Sequence, residues 1–185
     1  MWPWGHLAAG YLVYRLGRRP LDGLAVIALA VGTQLPDLID KPLAWTIPLL
    51  PNGRSLSHSL LVVPPILLVV AYLASGYRRR LVVAVLVGHL THLATDALYP
   101  LLEGNLYFLG FLGWPLVPPI EYEGATKGIL SHFLTFQLTP RSGFELLLFA
   151  LAVLAWLLDG RPGYRQLVAA AKSVISRTRR AVSGS

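Results

Sequence analysis

Apolar residues in this chain run in long blocks broken by short polar or basic turns. Leu56–Ser75 and Leu81–Leu102 are each close to the ~20 residues that a helix needs to cross a bilayer, and Phe144–Leu158 is somewhat shorter. Trp4–Leu16 and Leu21–Leu35 are ambiguous alone, but beside such neighbours they read as membrane segments too. The pattern predicts an all-α, polytopic membrane bundle of about five crossings. Helix one runs from Trp4 toward Arg15. Helix two returns from Leu21 to Leu35 and stops at Pro36. Helix three runs from about Ser57 to Ser75, kinked at Pro64 and Pro65. Helix four climbs from Leu81 through Asp96, and helix five covers 144–158. Segment 100–143, rich in Pro, Gly and aromatics, is predicted to be re-entrant or to lie on the surface.

The basic residues orient this bundle. Arg15, Arg18, Arg19, Arg78–Arg80 and the six Lys/Arg of 161–180, twelve of the sixteen in the chain, fall at one end of the predicted helices. By the positive-inside bias that end is cytoplasmic. The same topology places His6, Asp37, Asp40, His58, His92 and Asp96 together at the opposite, outer end, although none of them entered the charge argument.

Composition agrees with this reading. Hydrophobic residues make up 55% and charged residues 14%, far from the soluble average. The net charge of +7 would suit nucleic acid if it formed a patch. It flanks apolar segments instead, so membrane lipids are the expected partner and nucleic acid is not. With no cysteine, disulfides and thiolate metal sites are excluded. Arginines follow the first apolar stretch and none precedes it, the reverse of a signal peptide. The chain divides into a membrane-embedded domain over 1–160 and a basic tail over 161–185. That tail has apolar residues at Tyr164, Leu167, Val168, Ala171 and Ile175, the spacing of an amphipathic surface helix, with a disordered tail as the alternative.

The stretch "GHLTHLATD", 88–96, puts two imidazoles and a carboxylate in the apolar run. On a helix, residues 89, 92 and 96 fall within roughly 60° of one another. Ionisable groups inside a membrane are costly and by default mark a functional interior site. His92 and Asp96 are one turn apart and can grip one cation. His89 and Asp96 lie roughly 10 Å apart along the axis, so His89 either serves a second ion or supports the ligands. "LPDLID" adds Asp37 and Asp40, with Asp37 also readable as a helix N-cap. "GRSLSHSLL" adds Arg54 and His58. Ser57 and Ser59 there read as capping groups, since no nucleophile-elbow pattern accompanies them. Arg54 suits an anion such as phosphate, or a lipid headgroup. Glu121, Glu123, Lys127 and His132 are acid–base candidates by location only.

"GHLAAG", "PDLID", "RSLSHSLL" and "GHLTHLATD", in that order, resemble the membrane-bound metal-dependent hydrolases. This family is also described as LexA-binding, inner-membrane-associated hydrolases or YdjM-like proteins. The resemblance covers roughly 4–100 and, more loosely, the aromatic segment after it. The family's signatures fall on His6 and Gly10, on Pro36 and Asp37, on Arg54, His58 and Ser59, and on Gly88, His89, His92 and Asp96. Members often carry a histidine directly before the arginine of the third motif, where this chain has Gly53. A distant similarity to zinc-dependent phospholipases C implies phosphodiester or related ester hydrolysis.

Together these lines lead to the expectation of a metal-dependent hydrolase in the cell membrane. The metal ligands expected are His6, Asp37, His58, His92 and Asp96, with His89 as a further candidate; Arg54 and Asp40 are the expected catalytic groups. Nitrogen and oxygen donors without thiolate suit Zn²⁺, with Mn²⁺ or Fe²⁺ as alternatives, as one ion or two. The metal would acidify a water that attacks the substrate. A proton or ion transporter, and a regulatory scaffold tied by a structural metal, would use the same buried groups.

Overall fold

The computed structural model describes residues 1–17, 21–120 and 129–183, and every regular element among them is helical. In chain order these are α1 (Pro3–Gly17), α2 (Gly23–Trp45), α3 (Val63–Leu73), α4 (Gly76–Leu102), a 3-10 helix (Leu106–Gly113), α5 (Ile129–Leu134), α6 (Pro140–Leu158) and α7 (Tyr164–Ser183). Three of them, α2, α4 and α6, are long and apolar enough to cross a membrane. At 11 residues α3 is apolar but shorter, and α1 has 15. Arg18, Arg19, Glu121, Glu123, Lys127 and the His132 side chain lie outside the described residues.

At the centre α2 and α4 run side by side in the same direction, touching backbone to backbone. A Cβ on Gly32 would strike the Val85 carbonyl, and one on Gly88 would strike the Leu29 carbonyl and come within 2.9 Å of the Thr33 nitrogen. Small residues at such a crossing replace side-chain packing by direct backbone approach, the usual means of holding membrane helices together. α1 runs against this pair. Its Gly10 admits the Thr33 methyl, and the carbonyl of Pro3 accepts a bond from the Gln34 amide at 3.1 Å. α6 lies along α1, and their basic ends are locked where Tyr11 and Arg15 both donate to Asp159 Oδ2, at 2.8 and 2.6 Å. Ala8, Tyr11, Tyr14, Ala25, Leu29, Ala84 and Ala152 belong to the buried core between these helices.

Asp22 caps α2 by accepting from the Ala25 N–H, and it also accepts from the Tyr77 hydroxyl at 2.7 Å, tying the starts of α2 and α4. Those two donors hold the Asp22 carboxyl below its ordinary pKa.

Two elements depart from the sequence expectation. Helix two does not stop at Pro36 but continues to Trp45, with Pro36 and Pro42 inside it. A proline in a membrane helix is tolerated where neighbours take up the backbone groups it exposes. Pro36 takes the N–H partner from the Gly32 carbonyl, and the surrounding turn is tied from outside, with the Ser57 hydroxyl donating to the Pro36 carbonyl and His92 to the Thr33 carbonyl. Helix three, expected from Ser57, begins only at Val63, with Pro64 and Pro65 in its first turn, where missing N–H groups cost nothing. The residues before it are held by a carboxylate of α2 in place of a helical ladder. The tail is helical, as the apolar spacing suggested, and exposes Leu167, Val174 and Ile175.

Gly88→Ala is expected to destabilise the protein by about 1–3 kcal/mol through overpacking, read as a lower unfolding midpoint in detergent. Gly143→Ala, where a Cβ meets nothing within 4 Å, should leave that midpoint unchanged or raise it.

Candidate metal centre

Four segments bring ionisable side chains to one end of the bundle: α1 with His6, the second half of α2 with Asp37 and Asp40, the irregular segment before α3 with Arg54 and His58, and α4 with His89, His92 and Asp96. His6, Asp40, His58, His89, His92 and Asp96 are all buried.

Asp40 organises the segment that carries His58. Its Oδ1 accepts from the Ser57 N–H at 2.9 Å and the Ser57 hydroxyl at 2.8 Å. Its Oδ2 accepts from the N–H of Ser55 at 2.8 Å and of His58 at 3.2 Å, and from His58 Nδ1 at 2.8 Å. A fully buried carboxylate is stable only with such saturation, and the chain wraps it to provide one. Farther along, Ser59 donates to the Trp114 carbonyl at 2.5 Å and Leu60 N–H to that of Leu112 at 2.9 Å, which fastens the segment to the 3-10 helix region. Gly53 lies against the Trp45 indole, where a Cβ would come within 3.2 Å of the ring. A histidine, frequent at this place in the resembled family, would have to displace that ring.

The three imidazoles at the centre are fixed the same way. His58 Nδ1 donates to Asp40, and His92 Nδ1 donates to the Thr33 carbonyl at 2.7 Å. His6 Nδ1 lies 2.7 Å from the Thr95 hydroxyl, which also reaches the carbonyls of Thr91 and His92, and His6 Nε2 donates to the Met1 carbonyl at 3.1 Å. These partners assign the proton of neutral His58 and His92 to Nδ1 and leave their Nε2 atoms as bare lone pairs, whereas the Met1 carbonyl, which can only accept, calls for a proton on His6 Nε2. The Nε2 atoms of His58 and His92 then face each other at 3.2 Å, while the His6 and His92 rings stack at 3.7 Å.

Carboxylate oxygens complete the cluster. Asp37 Oδ1 lies 3.5 Å from His58 Nε2 and 3.9 Å from His92 Nε2, while Lys41 holds its Oδ2 at 2.6 Å. Asp96 Oδ2 lies 3.7 and 3.8 Å from the same two nitrogens and 3.1 Å from Arg54 Nε. Its Oδ1 accepts from the Met1 ammonium at 2.6 Å and lies 3.4 Å from His6 Nε2.

Unprotonated nitrogens and carboxylates that converge in a buried space repel one another unless a proton or a cation lies among them. Two nitrogens bound to one tetrahedral ion at about 2.0–2.1 Å sit about 3.3–3.4 Å apart, and the His58–His92 separation fits this. The site could hold a metal ion. Two groups, His6–Asp37–His92 and His58–His92–Asp96, each offer donor atoms within 4.8 Å of one another, and they share His92.

Two residues singled out in the sequence lie apart from these groups. His89 is buried on the same helix, with no hydrogen-bond partner for either ring nitrogen among the described residues. Asp40 stands behind His58, its oxygens occupied by the segment it organises. Sequence reasoning missed Glu145, which is buried near the start of α6 and accepts from the Trp2 N–H at 2.8 Å and the Tyr99 hydroxyl at 3.3 Å. The available signal was a carboxylate inside an otherwise apolar helix.

Asp40→Asn halves the anionic acceptor set around which residues 55–58 fold. The expected result is a loss of at least about 2 kcal/mol, with amide exchange at Ser55, Ser57 and His58 accelerating before the rest of the bundle opens.

No curated protein and no solved structure matches the chain significantly. A family model does, that of the YdjM inner membrane protein, over residues 1–164. The three apolar helices agree with a place in a membrane. The match spans most of the chain and takes in every helix that contributes to the cluster, so the protein belongs to the YdjM inner membrane protein family.

Proposed function

We propose that this protein is a membrane-embedded, metal-dependent hydrolase that acts on an ester or phosphodiester. The observation that carries the reading is the pair His58 and His92, each tied at Nδ1, whose bare Nε2 atoms face each other at 3.2 Å beside oxygens of Asp37 and Asp96, with the His6 ring stacked on His92. Fixing the far nitrogen of each ring orients the near one and raises its basicity, as the supporting groups of metal-bound histidines do. The ligands would be His6, Asp37, His58, His92 and Asp96, and this mixture of nitrogen and oxygen donors suits Zn²⁺ ahead of Mn²⁺ or Fe²⁺. A divalent cation there supplies the Lewis acidity that makes water a nucleophile near neutral pH and polarises the bond under attack.

The chain's own residues do the rest. Asp40 acts through His58, as a positioning group that fixes its tautomer and direction. Arg54 sits on the rim with its Nε on Asp96, where its guanidinium can receive the negative charge of a substrate or of the transition state formed from it, tetrahedral for an ester and trigonal-bipyramidal for a phosphodiester. Burial of the donors keeps bulk water away and strengthens each of these interactions. The arginine-rich end of the bundle faces the cytoplasm and the cluster faces the outer half of the bilayer, by the positive-inside bias. The basic amphipathic α7 lies on the inner surface against anionic lipid. The chain is thus a multi-pass protein of the inner membrane, in contact with lipid throughout.

Purified protein is expected to contain one or two equivalents of zinc, or of manganese or iron, per chain by elemental analysis. His92 belongs to both donor groups, so His92→Ala should reduce the metal to below about a tenth of wild type while helix content persists. A folded wild-type preparation without metal would overturn the reading and favour a proton shared between His58 and His92. Wild type is expected to cleave 4-nitrophenyl esters or bis(4-nitrophenyl) phosphate, with chelation abolishing turnover and added Zn²⁺ restoring it. Arg54→Gln should retain the metal but lose about 10²-fold or more in kcat/KM, as removal of a charge-stabilising donor does. Full metal occupancy with no turnover on any ester or phosphodiester would identify the ion as structural.

A further inference from the structure

A cleft of about 360 Å³ opens beside the metal centre, between the start of the chain, α4 and the beginning of α6. Arg54 belongs to both places, since it lines the cleft while its Nε contacts Asp96. A second guanidinium, Arg141, lines it from the first turn of α6. Arg141 lies over the Tyr99 ring, 5.1 Å from its centroid, and pairs with Glu103. Glu145 is the one carboxylate among the lining residues, and its two oxygens already accept from Trp2 and Tyr99. The wall itself thus carries two guanidiniums and the Met1 ammonium against one satisfied carboxylate, with Asp96 and Glu103 behind the guanidiniums. Thr135, Thr139 and Gln137 add polar groups to its wall. Planar guanidinium forks match the paired oxygens of phosphate, and the N-terminal end of α6, which opens here, favours the same charge.

The mouth of this cleft has a different character. Trp2 lines the cleft and stacks on Trp4 at 5.1 Å; Phe136 meets both rings edge-on, at 5.0 and 5.5 Å, and Phe133 lies 6.0 Å from Trp2. Clustered tryptophan and phenylalanine at the end of apolar helices are the mark of the membrane–water interface. Leu134 and Leu138, interleaved in the chain with Thr135, Gln137 and Thr139 of the wall, are each 77% exposed. A soluble anion needs no such collar. A molecule with a charged head and a hydrocarbon body needs both halves of it.

We infer that this cleft binds the phosphate-bearing headgroup of an amphiphile. The oxyanion lies between Arg54 and Arg141, and the hydrocarbon leaves over the Trp2–Phe136 collar into the bilayer. The inference deepens the hydrolase reading by naming the class of molecule presented to the centre, and it rests on that reading for chemistry but not for binding.

The test uses full-length protein in an uncharged detergent, metal-loaded and metal-depleted, titrated calorimetrically with dihexanoyl phosphatidic acid, inorganic phosphate or dihexanoylglycerol. The phosphatidic acid is expected to bind and the neutral lipid not to bind. Arg141→Gln should weaken binding at least tenfold with metal content and helicity unchanged, and Arg141→Lys should recover part of the loss. Arg78→Gln, at the opposite end of the bundle, should bind as wild type does. Unaltered affinity in Arg141→Gln, or equal binding of the neutral lipid, would overturn the assignment. Inorganic phosphate as tight as the lipid would overturn its amphiphile half. Phosphatidic acid binding by wild type that purifies without metal and takes none up when metal is added would leave the cleft standing and remove the hydrolase. A metal-loaded, active protein that ignores phosphatidic acid would do the reverse.

Discussion

The contact on which this structure depends is the glycine crossing of α2 and α4. Gly32 and Gly88 let two long membrane helices meet at backbone distance, and the consequences lie one turn farther along. Because the axes are so close, His92 reaches the Thr33 carbonyl of the neighbouring helix, and Asp37 reaches the nitrogens of His58 and His92. With an ordinary side chain at either glycine the helices would stand apart and the donor atoms would separate with them. Packing in membranes relies on such close approach because lipid leaves little hydrophobic force to drive helices together.

A second constraint is the burial of Asp40. An ionised carboxylate with no access to water has to be surrounded by donors, and segment 52–58 meets that demand with backbone N–H groups, a serine hydroxyl and the His58 ring. Meeting it also aims His58 at the cluster. The irregular backbone within a helical bundle is therefore a product of local electrostatics. It stands where non-helical structure at membrane depth is tolerated, buried in protein and turned toward a polar site.

The bundle carries its ion pairs toward its two ends. Arg15 and Asp159 lie at one end, with Arg161 two residues farther on; His6, Asp37, His58, His92 and Asp96 lie at the other. Between them sits a core of alanine, leucine and tyrosine. The polar end opens sideways through a cleft whose walls carry arginine and whose rim carries tryptophan and phenylalanine.

Much of this was legible in the residues. Long apolar blocks imply helices that cross lipid, because only a helix satisfies its own backbone there. The spacing of His92 and Asp96 puts them on one face through helical periodicity alone. That ionisable groups so placed form a site follows from the energy of burying them. What periodicity cannot supply is the relation between segments. Whether Pro36 ends a helix or sits inside one depends on what packs against that turn, and Ser57 and His92 bond to its carbonyls from far along the chain. Where α3 begins depends on a carboxylate of α2. The role of Asp40, the separation of His89 from the donor groups and the part of Glu145 in the cleft were likewise decided in three dimensions, because each depends on which atoms the fold places within a few ångströms and not on the residue's own chemistry.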